Sequence, residues 1–145
     1  MTRTFYPIVA LVLGLASALP AQEDAGFKVV VNTNNPQTSI KRSALSDIFL
    51  KKTTLWAHGT PAQPVDQSLM SGLRIAFSKK VHGRNVDAIQ NYWQQQIFSG
   101  RSTPPLVKLS DAEVLEFVRA RPGGVGYVSS FVTLIDGVKV LKLTE

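Results

Sequence analysis

The chain has 145 residues, enough for one domain with one hydrophobic core. Its 44% apolar and 18% charged residues exclude a disordered protein, and the absence of cysteine excludes disulfides, thiolate chemistry and cysteine metal sites. The formal charge of +6 favours anionic partners, although a basic surface that serves only solubility is the alternative. Because the basic residues form no long run and no RNA-binding aromatic motif accompanies them, we expect no nucleic acid partner.

The N-terminal stretch has the pattern of a secretory signal. Arg3 supplies a positive charge, and Pro7–Leu19 is an uncharged apolar run that is short for a bilayer span, which needs about 20 residues. Cleavage after Ala18, Ala21 or Ala25 fits the small residues that follow. We predict a signal over residues 1–21, and an uncleaved membrane anchor is the alternative.

The predicted mature domain covers residues 27–145. Removal of Arg3 with the signal leaves 15 basic and 10 acidic side chains, a charge of +5. No later stretch is apolar and long enough to span a membrane, so we expect a soluble exported protein. A cysteine-free domain of this size fits the periplasm of a Gram-negative bacterium.

Phe27–Asn32 opens the domain as a strand. Its three consecutive valines predict a strand covered on both faces, in the middle of an α/β sheet. The polar loop that follows, residues 32–39, would lie at the carboxyl end of this central strand, where open α/β sheets bind ligands. Asn34 and Ser39 are therefore candidate ligand-binding residues.

Three helices have recognisable N-caps. Ser43 is a candidate cap for a helix over residues 44–51, and Asn85 for one over residues 86–99. Ser110 and Glu113 have the spacing of a capping box before a helix that ends near residue 121. An aromatic stripe on the second of these helices predicts core packing rather than a sugar-stacking surface; its members are Tyr92, Trp93 and Phe98.

The C-terminal part is predicted to contain strands. Val125–Val128 forms one, in which Gly126 permits a close approach of the backbone. The Asp136–Gly137 turn predicts a hairpin between residues 132–135 and 138–143. Since strands alternate with helices, we expect a single α/β domain with a mixed, mostly parallel sheet flanked by helices.

The most informative stretch is the corner between a short strand at residues 62–66 and a helix over residues 71–81. The first amides of a helix lack internal partners, and the helix dipole is positive there, so such a corner attracts anions. The candidate ligand-binding residues here are Asp66, Ser68, Ser71, Gly72 and Arg74. The alternative is that the serines only cap the helix.

Motifs for catalysis are missing from the sequence. It contains no G-x-S-x-G elbow, H-E-x-x-H, P-loop or G-x-G-x-x-G motif, and His58 and His82 lack the spacing of a zinc site. We therefore predict a non-enzymatic protein that needs no metal or cofactor.

Several segments occur in the order found in the phosphate-binding proteins of ABC importers. Ser43–Lys52, then Trp56, Gly59–Pro61 and Pro64–Asp66, resemble that family's L-x-x-I-F helix, tryptophan loop and strand. Pro122–Val128 resembles its PGxIGYV strand, so that the match runs from Phe27 to Val128. The resemblance implies a single lobe of the type II periplasmic-binding-protein-like fold, similar to short stand-alone members in proteobacteria.

The chain departs from the family pattern in two ways. The family's helix start reads D-G-S-G-T, whereas Leu69 and Met70 here replace small polar residues. Full-length members also have two lobes that close on the ligand, and this chain has room for one. Two hypotheses therefore stand: an exported solute-binding-like protein that takes phosphate or another small oxyanion, or a protein-interaction module with an envelope or transporter partner and no small ligand.

Overall fold

The computed structural model describes residues 26–145, so the predicted secretory signal lies outside the described residues. The strands are β1 (Phe27–Asn32), β2 (Ser39–Lys41), β3 (Gln63–Gln67), β4 (Leu106–Lys108), β5 (Gly124–Ser129), β6 (Val138–Val140) and β7 (Lys142–Thr144). The α-helices are α1 (Arg42–Phe49), α2 (Gly72–Phe77), α3 (Val86–Phe98) and α4 (Asp111–Arg119). A π-helical turn, Ser78–His82, continues α2. None of these helices has the length and apolar character needed to cross a membrane.

The main sheet has five strands in the order β4-β3-β5-β1-β6. The strand β3 runs parallel to β4 and β5, whereas β1 is antiparallel to β5 and β6. The strands β2 and β7 form a separate parallel pair. The predicted mixed, mostly parallel α/β sheet flanked by helices is confirmed.

The strand β1 occupies the interior of the sheet, as its valines predict. Val29, Val30 and Val31 are at most 2% exposed, because β5 and β6 flank the strand and side chains cover both its faces. On one face lies a core that includes Phe49, Phe77 and Tyr127, and on the other lies a core of valines from β3, β5 and α4. Each fully buried side chain of this size contributes about 1.5 to 3 kcal/mol.

Two of the three predicted caps are confirmed. The Asn85 Oδ1 atom accepts a hydrogen bond from the Ala88 amide at 2.9 Å, and Ser110 Oγ accepts one from Glu113 at 3.2 Å. The prediction for Ser43 is wrong, because α1 begins at Arg42 and its N-cap, Lys41, makes no side-chain cap bond. The chain enters α1 directly from β2, so the strand pairing fixes where the helix starts.

The aromatic stripe of α3 is only partly in the core. Trp93 is buried, and the half-buried Tyr92 donates a hydrogen bond to the Leu50 carbonyl at 2.7 Å. Phe98 is 93% exposed, so its predicted core position is wrong. It is the last residue of α3 and lies outside the small cluster that Trp93, Tyr92 and Ile89 form with Leu50.

The predicted C-terminal hairpin is not formed. Residues 132–135 are not a strand, and residues 138–143 divide into β6 and β7 on either side of the buried Leu141. The pairing of β6 with β1, and of β7 with β2, gives the two halves different partners. Tertiary pairing therefore outweighs the local Asp-Gly turn signal.

The helix predicted over residues 71–81 changes geometry along its length. The α-helical part has six residues, and the π-helical turn carries the chain on to His82. Gly83 ends it with φ of 64°, the left-handed conformation expected of a terminating glycine.

Candidate functional site

The corner between β3 and α2 is a tight turn that satisfies much of its own hydrogen bonding. The Ser71 amide donates to the Ser68 carbonyl at 2.9 Å, and the Met70 amide donates to Ser68 Oγ at 3.3 Å. Ser71 is the N-cap of α2, and its Oγ accepts a hydrogen bond from Leu73 at 3.2 Å. Both serines therefore shape the turn, in line with the capping alternative.

Asp66 and Arg74 meet beneath this turn. Their residues are 6% and 5% exposed, and Arg74 Nε lies 3.4 Å from Asp66 Oδ1. Arg74 also donates to the Gln67 carbonyl at 2.8 Å, and the Tyr127 hydroxyl donates a short hydrogen bond to Asp66 Oδ1. The two charged side chains thus stabilise each other and the backbone of the corner from inside.

Burial and the neighbouring groups shift the pKa of Asp66 in opposite directions. Burial raises the pKa of Asp66, while the Arg74 guanidinium and the hydrogen bonds from Tyr127 and Gln67 counter that rise. Burial and the neighbouring Asp66 carboxylate raise the pKa of Tyr127, which keeps its hydroxyl protonated. Tyr127 therefore remains a donor to Asp66 over the whole neutral range.

Gln67 is a structural residue of the corner that the sequence analysis did not identify. Its Nε2 atom donates to the Tyr127 carbonyl at 2.9 Å and to Asp111 Oδ1 at 3.0 Å. Asp111 in turn accepts a hydrogen bond from the Ser129 amide at 3.2 Å. Gln67 thereby connects the ends of β3 and β5 to the first turn of α4. The available signal was its place at the end of a predicted buried strand, where a polar side chain needs partners.

Asn34 lies at the other end of the sheet. Because β1 runs antiparallel to β5, its carboxyl end is far from the carboxyl ends of β3 and β5, where the corner lies. The loop after β1 is instead held to the end of α4, since Asn32 Nδ2 donates to the carbonyls of Val118 and Arg119 at 3.1 and 3.0 Å. The structure therefore does not bring Asn34 to the corner.

Ser39 also lies away from the corner, in β2, where it is exposed and pairs with Lys142 of β7. Of the residues predicted to bind a ligand, the structure brings five together and leaves two elsewhere. The five are Asp66, Ser68, Ser71, Gly72 and Arg74.

The outer surface of the corner is open. Gly72 is exposed, and a Cβ added to it would meet no heavy atom within 4 Å. Around it, Leu69, Met70 and Ile75 are 40%, 91% and 54% exposed. The first turn of α2 thus presents its backbone within an apolar rim.

The two histidines have different surroundings. His58 is exposed and stacks on Trp56, with 6.4 Å between ring centroids. His82 Nδ1 lies 2.7 Å from Ser46 Oγ, and burial, aided by Arg74, Arg84 and Lys52, lowers its pKa to about 4. Among residues 26–145, no three His, Asp or Glu residues cluster in a way that could hold a metal ion.

The fold resembles that of solved phosphate-binding proteins. It superimposes on a protein described as a phosphate ABC transporter substrate-binding protein, with bound phosphate, from Clostridium perfringens, at 21% identity and a TM-score of 0.64, covering 81% of this chain and 44% of that one. An ABC-type phosphate transport receptor from Vibrio cholerae gives 22% identity and a TM-score of 0.63 over 81% of this chain and 46% of that one. PstS from Borrelia burgdorferi gives 15% identity and a TM-score of 0.57 over 83% and 47%.

These likenesses show a shared fold. The chain spans less than half the length of each of these structures. No protein-family model matches the sequence, and no curated protein matches it either. The structural neighbours are binding proteins of phosphate transport, and this chain has the fold of one part of them.

Proposed function

We propose that this protein is an exported, non-enzymatic solute-binding-like protein that takes phosphate or a similar small oxyanion at the corner between β3 and α2. The observation that carries the proposal is the fold, which over 81% of the chain matches a structure with phosphate bound. The predicted secretory signal and the net positive charge agree with a periplasmic, anion-binding role.

In this proposal the corner residues have two different roles. Exposed Gly72 and the first turn of α2 would face the anion, with hydroxyl groups from Ser68 and Ser71 at the rim. Asp66 and Arg74 would support the turn from below, because each already has the other as its partner. Asn34 and Ser39 have no part in the revised site.

Titration calorimetry with phosphate, sulfate and acetate tests the proposal. The informative variant is Gly72→Asp, since the new carboxylate would repel an anion while still suiting the positive end of the helix. Gly72 has open space around it, so the variant should fold. We expect it to weaken phosphate binding by about tenfold or more, which corresponds to 1.4 kcal/mol, with no loss of melting temperature.

Gly72→Ala is the matched control, because it adds a side chain of no charge at the same position. It should bind phosphate about as well as the unchanged protein. Equal binding by Gly72→Asp, or no heat and no thermal shift with any of the three anions, would contradict an oxyanion site at this corner.

The alternative function is a protein-interaction module that has the same fold and binds no small ligand. The observation that favours it is the exposed apolar rim of Leu69, Met70 and Ile75, together with the mutual pairing of Asp66 and Arg74. A stoichiometric envelope or transporter protein recovered with the tagged protein, and lost on Met70→Glu, would support this alternative. Recovery of the same partner with the Met70→Glu variant would count against an interaction through this apolar rim.

A further inference from the structure

The strand β4 forms an open edge of the main sheet. Among the described residues its only neighbouring strand is β3, so its outward backbone groups face away from the sheet. Leu106, Val107 and Leu109, within and just after this strand, are 62%, 47% and 78% exposed. An open, apolar sheet edge can accept one more extended segment through main-chain hydrogen bonds.

Two clefts adjoin this edge, and Phe117 of α4 lines both of them. Leu106 pairs in register with Val65, which packs against α4, so Leu106 and Lys108 face the same side. The first cleft, of about 330 Å³, has a mixed lining whose apolar members include Pro64, Pro105, Leu106 and Phe117. The second, of about 390 Å³, continues past Lys108 and shares Phe117 with the first. Side chains at alternate positions of an added strand would enter these clefts.

The first cleft is positively charged. Lys51 and Arg121 line it, and no acidic residue does. Arg121 is held in place, because its guanidinium lies 3.8 Å from the Phe117 ring centroid and donates to the Phe117 carbonyl at 3.3 Å. A carboxylate is the side-chain group that such a pair of cations would bind.

The acidic residues of the second cleft are already engaged. Glu113 accepts a hydrogen bond from the Leu109 amide at 2.8 Å, and Glu116 pairs with Arg119 at 2.6 Å. Lys108 lines the same cleft together with Arg121. With Glu116 paired to Arg119, the two clefts keep three cations against the single carboxylate of Glu113, so their net charge is positive. These cations are Lys51, Lys108 and Arg121.

We propose that β4 is a docking edge for an extended segment of a partner protein in which apolar and acidic residues alternate. The segment adds a sixth strand to the sheet, and its acidic side chains face Lys51, Arg121 and Lys108. The positive charge beside β4 favours such an acidic segment over a second copy of the chain as the binding partner. Two β4 strands paired antiparallel about Val107 would bring the same three cations of each copy together, and like charges across an interface oppose association.

Binding of a defined probe tests the proposal. The probe is a fluorescent heptapeptide, blocked at both ends, that alternates valine and glutamate, and the control peptide has lysine in place of glutamate. We expect the glutamate peptide to bind the purified protein at least about tenfold more tightly. Amide hydrogen exchange should slow within β4 on binding. Equal affinities, no binding, or slowed exchange only elsewhere would overturn the proposal.

Charge variants identify the cleft. Lys51→Gln combined with Arg121→Gln should weaken the glutamate peptide by about tenfold. If loss of the Arg121 contacts affects folding, the single variant Lys51→Gln provides the test instead. The matched control is Lys79→Gln, at an exposed position of the π-helical turn, which should bind as the unchanged protein does.

Two further outcomes would overturn the proposal. One is an equal effect of the control and cleft variants, and the other is a dimer in sedimentation that protects β4 without peptide. Gly72→Asp should bind the peptide normally, so failure of the oxyanion site leaves this proposal standing.

Discussion

His82, at the end of the π-helical turn, couples stability to pH. In the folded protein its pKa is about 4, whereas the ordinary value is 6.5. Between these two pH values the unfolded chain binds more protons than the folded one. The free energy of unfolding therefore falls as the pH is lowered through this window, by about 3 kcal/mol in total from this residue.

Replacement of His82 by glutamine should remove this dependence. Urea unfolding of His82→Gln at a series of pH values from about 4 to 7 should give a flatter profile than that of the unchanged protein. The matched control is His58→Gln, at an exposed position, which should keep the original slope. If His82→Gln retained the full slope, another group would be responsible.

Arg74 illustrates the cost of leaving a buried charge without its partner. Arg74→Met removes the cation next to Asp66, and we expect a loss of about 3 to 5 kcal/mol in unfolding free energy. Arg84→Met, at an exposed position, should cost far less. Equilibrium denaturation measures both.

A second change distinguishes charge from packing. Adding Asp66→Asn to Arg74→Met removes the unpaired carboxylate, so the double variant should be more stable than Arg74→Met alone. A double variant at least as unstable as the sum of the single changes would contradict an electrostatic origin. For this reason Arg74 variants are poor tests of anion binding, because they would alter the corner itself.

Several residue roles could be predicted from the sequence because the interacting residues are close together in the sequence. The caps Asn85 and Ser110 each bond an amide three residues ahead, and Gly83 ends its helix through its own φ. The buried setting of the Asp66–Arg74 pair could not be predicted in this way, since part of it comes from Tyr127 on a strand distant in sequence. The sequence therefore suggested a ligand-binding role for Asp66 and Arg74, which form an ion pair with each other.

At the scale of elements, the contact of β5 with α4 depends on the absence of a Cβ atom at Gly126. A Cβ on Gly126 would lie 2.7 Å from Val114 Cγ1 and 2.9 Å from Val65 Cγ1. The sequence analysis predicted such a close approach, and these distances confirm it. Only glycine lets α4 pack this closely on the sheet.

Gly126→Ala should force α4 away from β5 and lower the unfolding free energy by about 1 to 3 kcal/mol. Combining it with Val114→Ala removes the nearest contact, so the two losses should be less than additive in thermal or urea unfolding. Gly72→Ala serves as the matched control, because its Cβ enters open space. Full additivity of the Gly126 and Val114 changes would contradict a steric cause.

Element types were easier to predict than element partners. The valine run predicted β1 as a central strand, but a strand buried on both faces has the same pattern whether it runs parallel or antiparallel. Its antiparallel direction moves Asn34 to the far end of the sheet. The π-helical turn was likewise hidden, because its residues continue the helical pattern of α2.

At the scale of the whole molecule, the two proposed surfaces use different elements and adjoin at the end of β3, where Gln67 pairs with Lys108. The corner uses the first turn of α2, and the docking edge uses β4 with the clefts beside α4. The resemblance seen in the sequence predicted the lobe and its corner, because the matching segments follow one another along the chain. The open edge could not be predicted, since strand order is a property of tertiary pairing.

The central position of β1 has a consequence for how the protein is made. Phe27 pairs with Ser129, and Val30 pairs with Val140. Within residues 26–145, the strand β1 therefore pairs only with segments that lie about 100 residues further along the chain. Pairings this distant in sequence form slowly, and neither edge of β1 can be covered until residues 125–140 have been synthesised. A chain that cannot complete its sheet early stays unfolded for longer, and the export proposed above would require an unfolded chain during translocation.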